Sequence, residues 1–218
     1  MNAFQIKILA IVTMIIDHVG LFFFPHIYIF RIIGRLSFPL FAWLIANGAQ
    51  HTHNIGNYLT RLFLFAMIAQ LPFLFANRLI DPYFSGLNVL CTLFFGLLAI
   101  AFIQRTDNWA KWLIITVLCS SMAELLQTDY GGLGVAMIVL FYVFFNNFEF
   151  LVLAQIVLFF IPFILFPQNF TNLFDSLGLF SLIFIRFYNN QAGPSAKYLF
   201  YIFYPLQYVI YYFIFLKF

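Results

Sequence analysis

Four ionisable side chains stand inside stretches that are otherwise apolar: Asp17, His18, Arg35 and Glu124. A charge at the centre of a membrane helix costs about 2.5–3.5 kcal/mol to insert, so each must be paired or face an internal cavity. Left alone they would together cost on the order of 10 kcal/mol, as much as the stability of an ordinary domain. They are therefore expected to converge, either as a reaction centre or as an ion-pair knot that only fixes helix packing. An imidazole in such a place, with an ordinary pKa of about 6.5, suits a general base.

Lys7 precedes His18 by eleven residues. At about 100° per residue this is almost three full turns, so both project from one face of the first helix, roughly 16 Å apart along it. The spacing suits a long ligand with an anionic head and a reactive tip, although a lysine flanking a first helix is also a common membrane anchor. Asp17 adjoins His18, and adjacent side chains on a helix diverge by about 100°. Direct support of His18 by Asp17 is thus disfavoured. Asp17 could pair with Arg31 or Arg35, leaving Glu124 or Asp129 to orient His18, and the sequence does not choose.

The run Arg31-Ile-Ile-Gly-Arg35-Leu-Ser-Phe-Pro39 puts two arginines on one helix face. A guanidinium keeps its charge when buried and offers a planar fork of donors to phosphate, carboxylate or a developing oxyanion. Pro39 is expected to disrupt the helix locally and free backbone groups. The plainer alternative is an interfacial pair touching lipid phosphates. His51-Thr52-His53 lacks a third ligand nearby, so a loop is expected there and no metal. Asp129-Tyr130-Gly131-Gly132-Leu133-Gly134 has no strand before it, and reads as a flexible helix start rather than a phosphate loop.

The elements that must position these groups follow from composition. The chain is 65% apolar and 8% charged, with a mean hydropathy of +1.01. Soluble domains are about 45–50% apolar and about 25% charged. A bilayer must therefore serve as solvent for the outer face. A membrane helix needs roughly 17–25 mostly apolar residues. Windows between polar breaks predict nine, at 5–24, 33–50, 58–77, 86–104, 110–127, 131–146, 148–166, 172–188 and 197–216. The fold class is all-α, a polytopic membrane helix bundle of about nine transmembrane helices forming one domain over residues 1–218. The first segment is read as a retained helix rather than a cleaved signal, since no small-residue cleavage site follows it. Cys91 and Cys119 are expected as buried free thiols. A net charge of +3 without a basic run argues against nucleic acid. Counting basic loop residues favours a cytoplasmic N-terminus.

The runs Lys7 to His18, Gly34-Arg35-Leu-Ser-Phe-Pro39-Leu-Phe, Gly48-Ala-Gln-His51-Thr52 and Tyr58-Leu-Thr-Arg61-Leu resemble the TraX family. So do Asn88-Val-Leu-Cys-Thr92-Leu, Asp129-Tyr130-Gly131 and Phe203-Tyr204-Pro205-Leu206, so the resemblance covers essentially the whole chain. The family's type member is associated with N-terminal acetylation of conjugative pilin. The family is also similar to a wider group of membrane acyltransferases, with a basic residue and a His separated by ten intervening residues on the first helix; Lys7 and His18 match that pattern. Two positions depart from the family: Gln207 follows Tyr-Pro-Leu where a His is common, and His53 stands where an Arg is common.

The resemblance implies acetyl-CoA as donor and His18 as catalytic base, in a bacterial cytoplasmic (inner) membrane. On this reading Asp17 and Arg35 complete the catalytic set, and Arg35, with Arg31, stabilises the anionic intermediate. Lys7, Arg31 and Arg61 form the cofactor-binding set, with Arg105 or Lys111 near the phosphates. The acceptor is an amine or hydroxyl on a pilin-like peptide, an envelope glycan or a lipid-linked intermediate. The rival is a proton-coupled transporter or flippase with Asp17, His18 and Glu124 as relay; the inverted repeats that would favour it are not visible in the sequence.

Overall fold

The computed structural model describes residues 1–165, 175–195 and 198–217, and among these the chain is almost wholly helical. In chain order the helices are α1 (Ala3–Phe23), α2 (Tyr28–Gly34), α3 (Ser37–His51), α4 (Ile55–Asn77), α5 (Val89–Ile103), α6 (Trp109–Leu125), α7 (Gly131–Val143) and α8 (Phe148–Leu165). A 3-10 turn, Leu177–Phe180, leads into α9 (Ser181–Arg186), and α10 is Leu199–Phe215. The protein is a membrane-type helix bundle. Three apolar stretches are long enough to cross a bilayer, Ala3–Phe23, Tyr28–His51 and Ile55–Asn77, and shorter apolar helices accompany them.

The predicted segments all have helical counterparts, with two differences. The second begins earlier than residue 33: α2 starts at Tyr28, and the chain kinks at Arg35-Leu36 before α3. Arg31 therefore lies within a helix, where it can be tolerated because a carboxylate meets it. The eighth, placed at 172–188, has residues 172–174 outside the described residues; its remainder is a tight turn followed by the short α9.

Contacts divide the chain into two compact units, Met1–Leu44 with Val143–Lys197, and Ile45–Tyr142 with Tyr198–Phe218. In the first, α1 opens on a capping box. Asn2 Oδ1 accepts from Gln5 N–H and Gln5 Oε1 accepts from Asn2 N–H, both at 2.9 Å. Two further amides of that first turn, Ala3 and Phe4, donate to the Gln191 and Ala192 carbonyls at 2.8 and 3.1 Å. The start of α1 is thus tied to the segment after α9, as expected if both lie on one side of the membrane. α1 then turns at 24–27 and runs back as α2 and α3. Glycine contacts set this hairpin's register: a Cβ on Gly20 would stand 2.3 Å from Phe30 Cβ. Farther along, Ser37 Oγ donates to the Ala10 carbonyl at 3.0 Å.

In the second unit α5 is apolar on all sides and buried along nearly its whole length, which is the pattern of a central helix. α4 and α6 pack against it, and α10 packs on α4. The outward faces of α4, α6 and α10 remain apolar and exposed, at Leu64, Ile68 and Leu71, at Leu113, Val117 and Leu118, and at Ile202, Leu206 and Phe213. Such continuous apolar stripes are what lipid covers. Cys91 and Cys119 are buried free thiols.

Candidate functional site

The site residues of the first unit gather at the hairpin between α1 and α2. Asp17, His18, Arg31 and Arg35 are each half-buried. Asp17 Oδ2 accepts from Arg31 Nη1 at 2.7 Å, a charge-assisted bond short enough to fix both side chains. The pair forms because Gly34, one turn beyond Arg31, has no side chain. A Cβ there would fall 2.1 Å from Asp17 Oδ1 and 2.4 Å from its carboxyl carbon. The Asp17-His18 and Gly34-to-Pro39 motifs are therefore two halves of one contact.

Arg35 takes a different acid. Its Nε lies 3.2 Å from Asp175 Oδ1. The two arginines, expected to act on one target, are each assigned their own carboxylate. Asp175 escaped the sequence reading, though the signal was present: a lone carboxylate just inside the eighth predicted segment, the criterion that singled out Glu124. Pro39 sits in the first turn of α3. Lacking an N–H, it leaves the Arg35 carbonyl without the usual helical donor. Gly178 approaches this carbonyl, where a Cβ would stand 3.1 Å from Arg35 O and 3.1 Å from Pro39 Cγ. The expected disruption is real, but the kink itself falls at Arg35-Leu36.

Lys7 lies on α1 eleven residues before His18, half-buried, and among the described residues no carboxylate pairs with it. The geometry of one helix keeps the two side chains on one face.

In the second unit Glu124 does not join a buried cluster. It is exposed, and its Oε2 accepts the Gly132 N–H at 2.9 Å at the start of α7. Gly131 makes this possible: its φ of +51° suits glycine, and a Cβ there would lie 2.3 Å from Glu124 Oε2. The Asp129-to-Gly134 run is thus the helix start that the sequence suggested. Glu124, expected as a buried group, is instead exposed, and its carboxylate accepts a first-turn amide of α7 that lacks a helical partner. Asp129 is likewise exposed.

Arg61 lies on α4 with its Cζ 5.6 Å from the centroid of the Tyr58 ring and its guanidinium hydrogen-bonded to the Tyr201 hydroxyl. Among the described residues no carboxylate pairs with it, and its buried Nε has no hydrogen-bond partner. Tyr201 was missed in the sequence, although Tyr201, Tyr204, Tyr208 and Tyr211 recur at helical spacing and form the buried face of α10.

Other motifs place buried polar side chains in local hydrogen bonds. Asn88, fully buried, donates to the Ala66 carbonyl at 2.8 Å and to Gln70 Oε1 at 2.7 Å, while its Oδ1 caps α5 through Leu90 N–H at 3.0 Å. Thr92 donates to Thr128 at 3.0 Å. His51 bonds the Asn47 carbonyl one turn back at 2.8 Å, a helix-end contact, and no metal-binding group of side chains occurs among the described residues.

The model of the TraX protein family matches residues 3–215. The chain is 28% identical to "Probable fimbrial assembly protein FimC, serogroup H1" of Dichelobacter nodosus, over 94% of this chain and 92% of that one. It is 29% identical to "Protein TraX" of Escherichia coli over 63% of this chain, spanning 54% of that relative. It is 25% identical to "Uncharacterized protein RP591" of Rickettsia prowazekii (strain Madrid E) over 62% of this chain, spanning 52% of that protein. No solved structure matches.

Proposed function

The chain belongs to the TraX family, and from that premise we propose that it is an integral membrane acetyltransferase of the bacterial cytoplasmic membrane. It moves the acetyl group of acetyl-CoA to an amine or hydroxyl of a membrane or cell-envelope acceptor. The observation that carries this reading is the Asp17–Arg31 pair at 2.7 Å, built beside His18 by the absence of a side chain at Gly34. A knot that served packing alone would not require an imidazole as the next residue.

In this mechanism His18 accepts the proton of the acceptor amine or hydroxyl as that group attacks the thioester carbonyl. Arg35, ion-paired with Asp175, stabilises the oxyanion; a preorganised donor of this type is typically worth about 3–4 kcal/mol. Collapse of the tetrahedral species breaks the carbon–sulfur bond, and His18 returns its proton to the departing thiolate. Asp17 holds Arg31 and with it the α1–α2 contact that fixes His18. Lys7 and Arg61 suit the phosphates of the donor, because each is a cation in an apolar helix that no carboxylate pairs among the described residues. The CoA phosphates supply the missing negative charge.

The relative named as a probable fimbrial assembly protein supports a pilin-type acceptor. The relay reading finds no support, since Glu124 caps α7. Incubating the purified protein in nanodiscs with radiolabelled acetyl-CoA and envelope extract tests the proposal. Label should enter a protein or glycan band with wild type and not with His18→Ala; no labelled acceptor and no CoA release with folded wild type would refute it.

A further inference from the structure

Arg61 differs from the arginines of the hairpin in what surrounds it. Arg31 and Arg35 each have a carboxylate, whereas Arg61 has an aromatic ring on one side and a phenol on another. A guanidinium donates hydrogen bonds and accepts none. In the bond to Arg61, Tyr201 must therefore use an oxygen lone pair, and its own O–H proton points elsewhere. That hydroxyl lies on a residue only 7% exposed. Among the described residues the buried Nε of Arg61 has no hydrogen-bond partner and its charge has no carboxylate. An unused donor and a positive charge thus sit beside a buried phenol.

Local packing holds this arrangement in place. Tyr58 lies one turn before Arg61 on α4, and its ring is seated against Gly48 of α3, where a Cβ would come within 3.0 Å of Cε1 and 3.1 Å of the hydroxyl. Tyr201 is seated by Phe65, whose ring stacks on it at 4.8 Å between centroids and 13° between planes. Two of the sequence runs singled out above, Gly48-to-Thr52 and Tyr58-to-Leu62, meet at the Tyr58 ring beside Arg61, and Tyr201 of α10 joins them there.

We propose that Arg61 and Tyr201 form a phosphate-binding site in which Arg61 supplies the charge, Tyr201 donates a second hydrogen bond, and Tyr58 is the positioning residue that holds the guanidinium. The proposal deepens the acetyl-CoA reading, on which it rests for the identity of the ligand; a phosphate of CoA and a phospholipid headgroup offer the site the same chemistry. Phosphate suits the site better than a carboxylate because its tetrahedral oxygens can meet donors arriving from α4 and α10 at once.

The test is a titration of protein carrying nitrogen-15 arginine, kept in a maltoside detergent free of phosphate, reading the Arg61 Nε–H resonance identified by its loss in Arg61→Lys. Coenzyme A and inorganic pyrophosphate should each shift that resonance. Tyr201→Phe should raise both dissociation constants about tenfold, the cost of one hydrogen bond to a charged group, and Tyr58→Leu, which removes the ring that holds the guanidinium, should raise them about threefold. Ile68→Ala, on the exposed apolar face of α4, should leave them unchanged and serves as the control for folding. If phosphatidylglycerol shifts the resonance and coenzyme A does not, the phosphate site stands with lipid as its ligand, and the acetyl-CoA reading loses Arg61. If no phosphate compound shifts it while the protein still turns over acetyl-CoA, the site is overturned and the enzyme reading survives. Unchanged affinities in Tyr201→Phe would remove Tyr201 from the site.

Discussion

Gly34 of α2 presses on the Asp17 carboxylate of α1 so closely that a single added carbon would stand 2.1 Å from Oδ1. This approach puts Arg31, one turn back along α2, within 2.7 Å of the same carboxylate. An ion pair in an apolar setting and the α1–α2 approach therefore depend on one missing side chain.

Gly34→Ala should accordingly damage both stability and activity. The new methyl group must displace Asp17 or part the helices, and overpacking of this kind costs about 1–3 kcal/mol. Thermal unfolding in detergent and acetyl-CoA turnover should fall together. Gly96→Ala is the comparison: its Cβ would meet Ile138 at 2.4 Å on α7, so stability should fall by a similar amount while turnover per folded molecule stays at the wild-type level.

Asp17→Asn should leave Arg31 without its counter-charge. The pair is partly exposed, so the loss should be about 1–2 kcal/mol rather than the larger cost of a fully buried pair. Adding Arg31→Gln should restore stability by removing the orphan charge. Turnover should remain low in the double variant if the pair fixes His18, and full recovery of turnover would show that the pair only supports packing.

Much of this architecture was legible. Among the described residues the apolar windows correspond to helical segments, because membrane segments announce themselves by length and hydropathy, and Lys7 and His18 fall on one helix. What the sequence could not supply was pairing. Arg31 finds Asp17 fourteen residues away, while Arg35 finds Asp175 far along the chain, and no local periodicity encodes that choice. Glu124 looked like a member of the buried set because it falls in an apolar window; only the left-handed turn at Gly131 shows that it serves the start of α7.

Glu124→Gln should retain turnover, since an amide oxygen can still accept the Gly132 N–H. A transport relay through Glu124 would instead lose function with this replacement. Measuring acetyl-CoA turnover and proton uptake in proteoliposomes on the same sample separates the two.

Asn88→Ala should be a purely structural lesion. It removes the side-chain cap of α5 and the side-chain bonds to the Ala66 carbonyl and Gln70 Oε1, for a combined cost of roughly 2–4 kcal/mol. The midpoint of thermal unfolding should drop sharply, and the fraction that remains folded should still bind coenzyme A.

The central claim is that His18 is the base of an acetyl transfer. It is tested most directly by measuring acetyl-CoA binding and CoA release on one preparation, with wild type beside His18→Ala. The account predicts that His18→Ala binds acetyl-CoA as wild type does but releases CoA at least about a hundredfold more slowly, in line with the loss of a general base. Release at the wild-type rate by folded His18→Ala would contradict it.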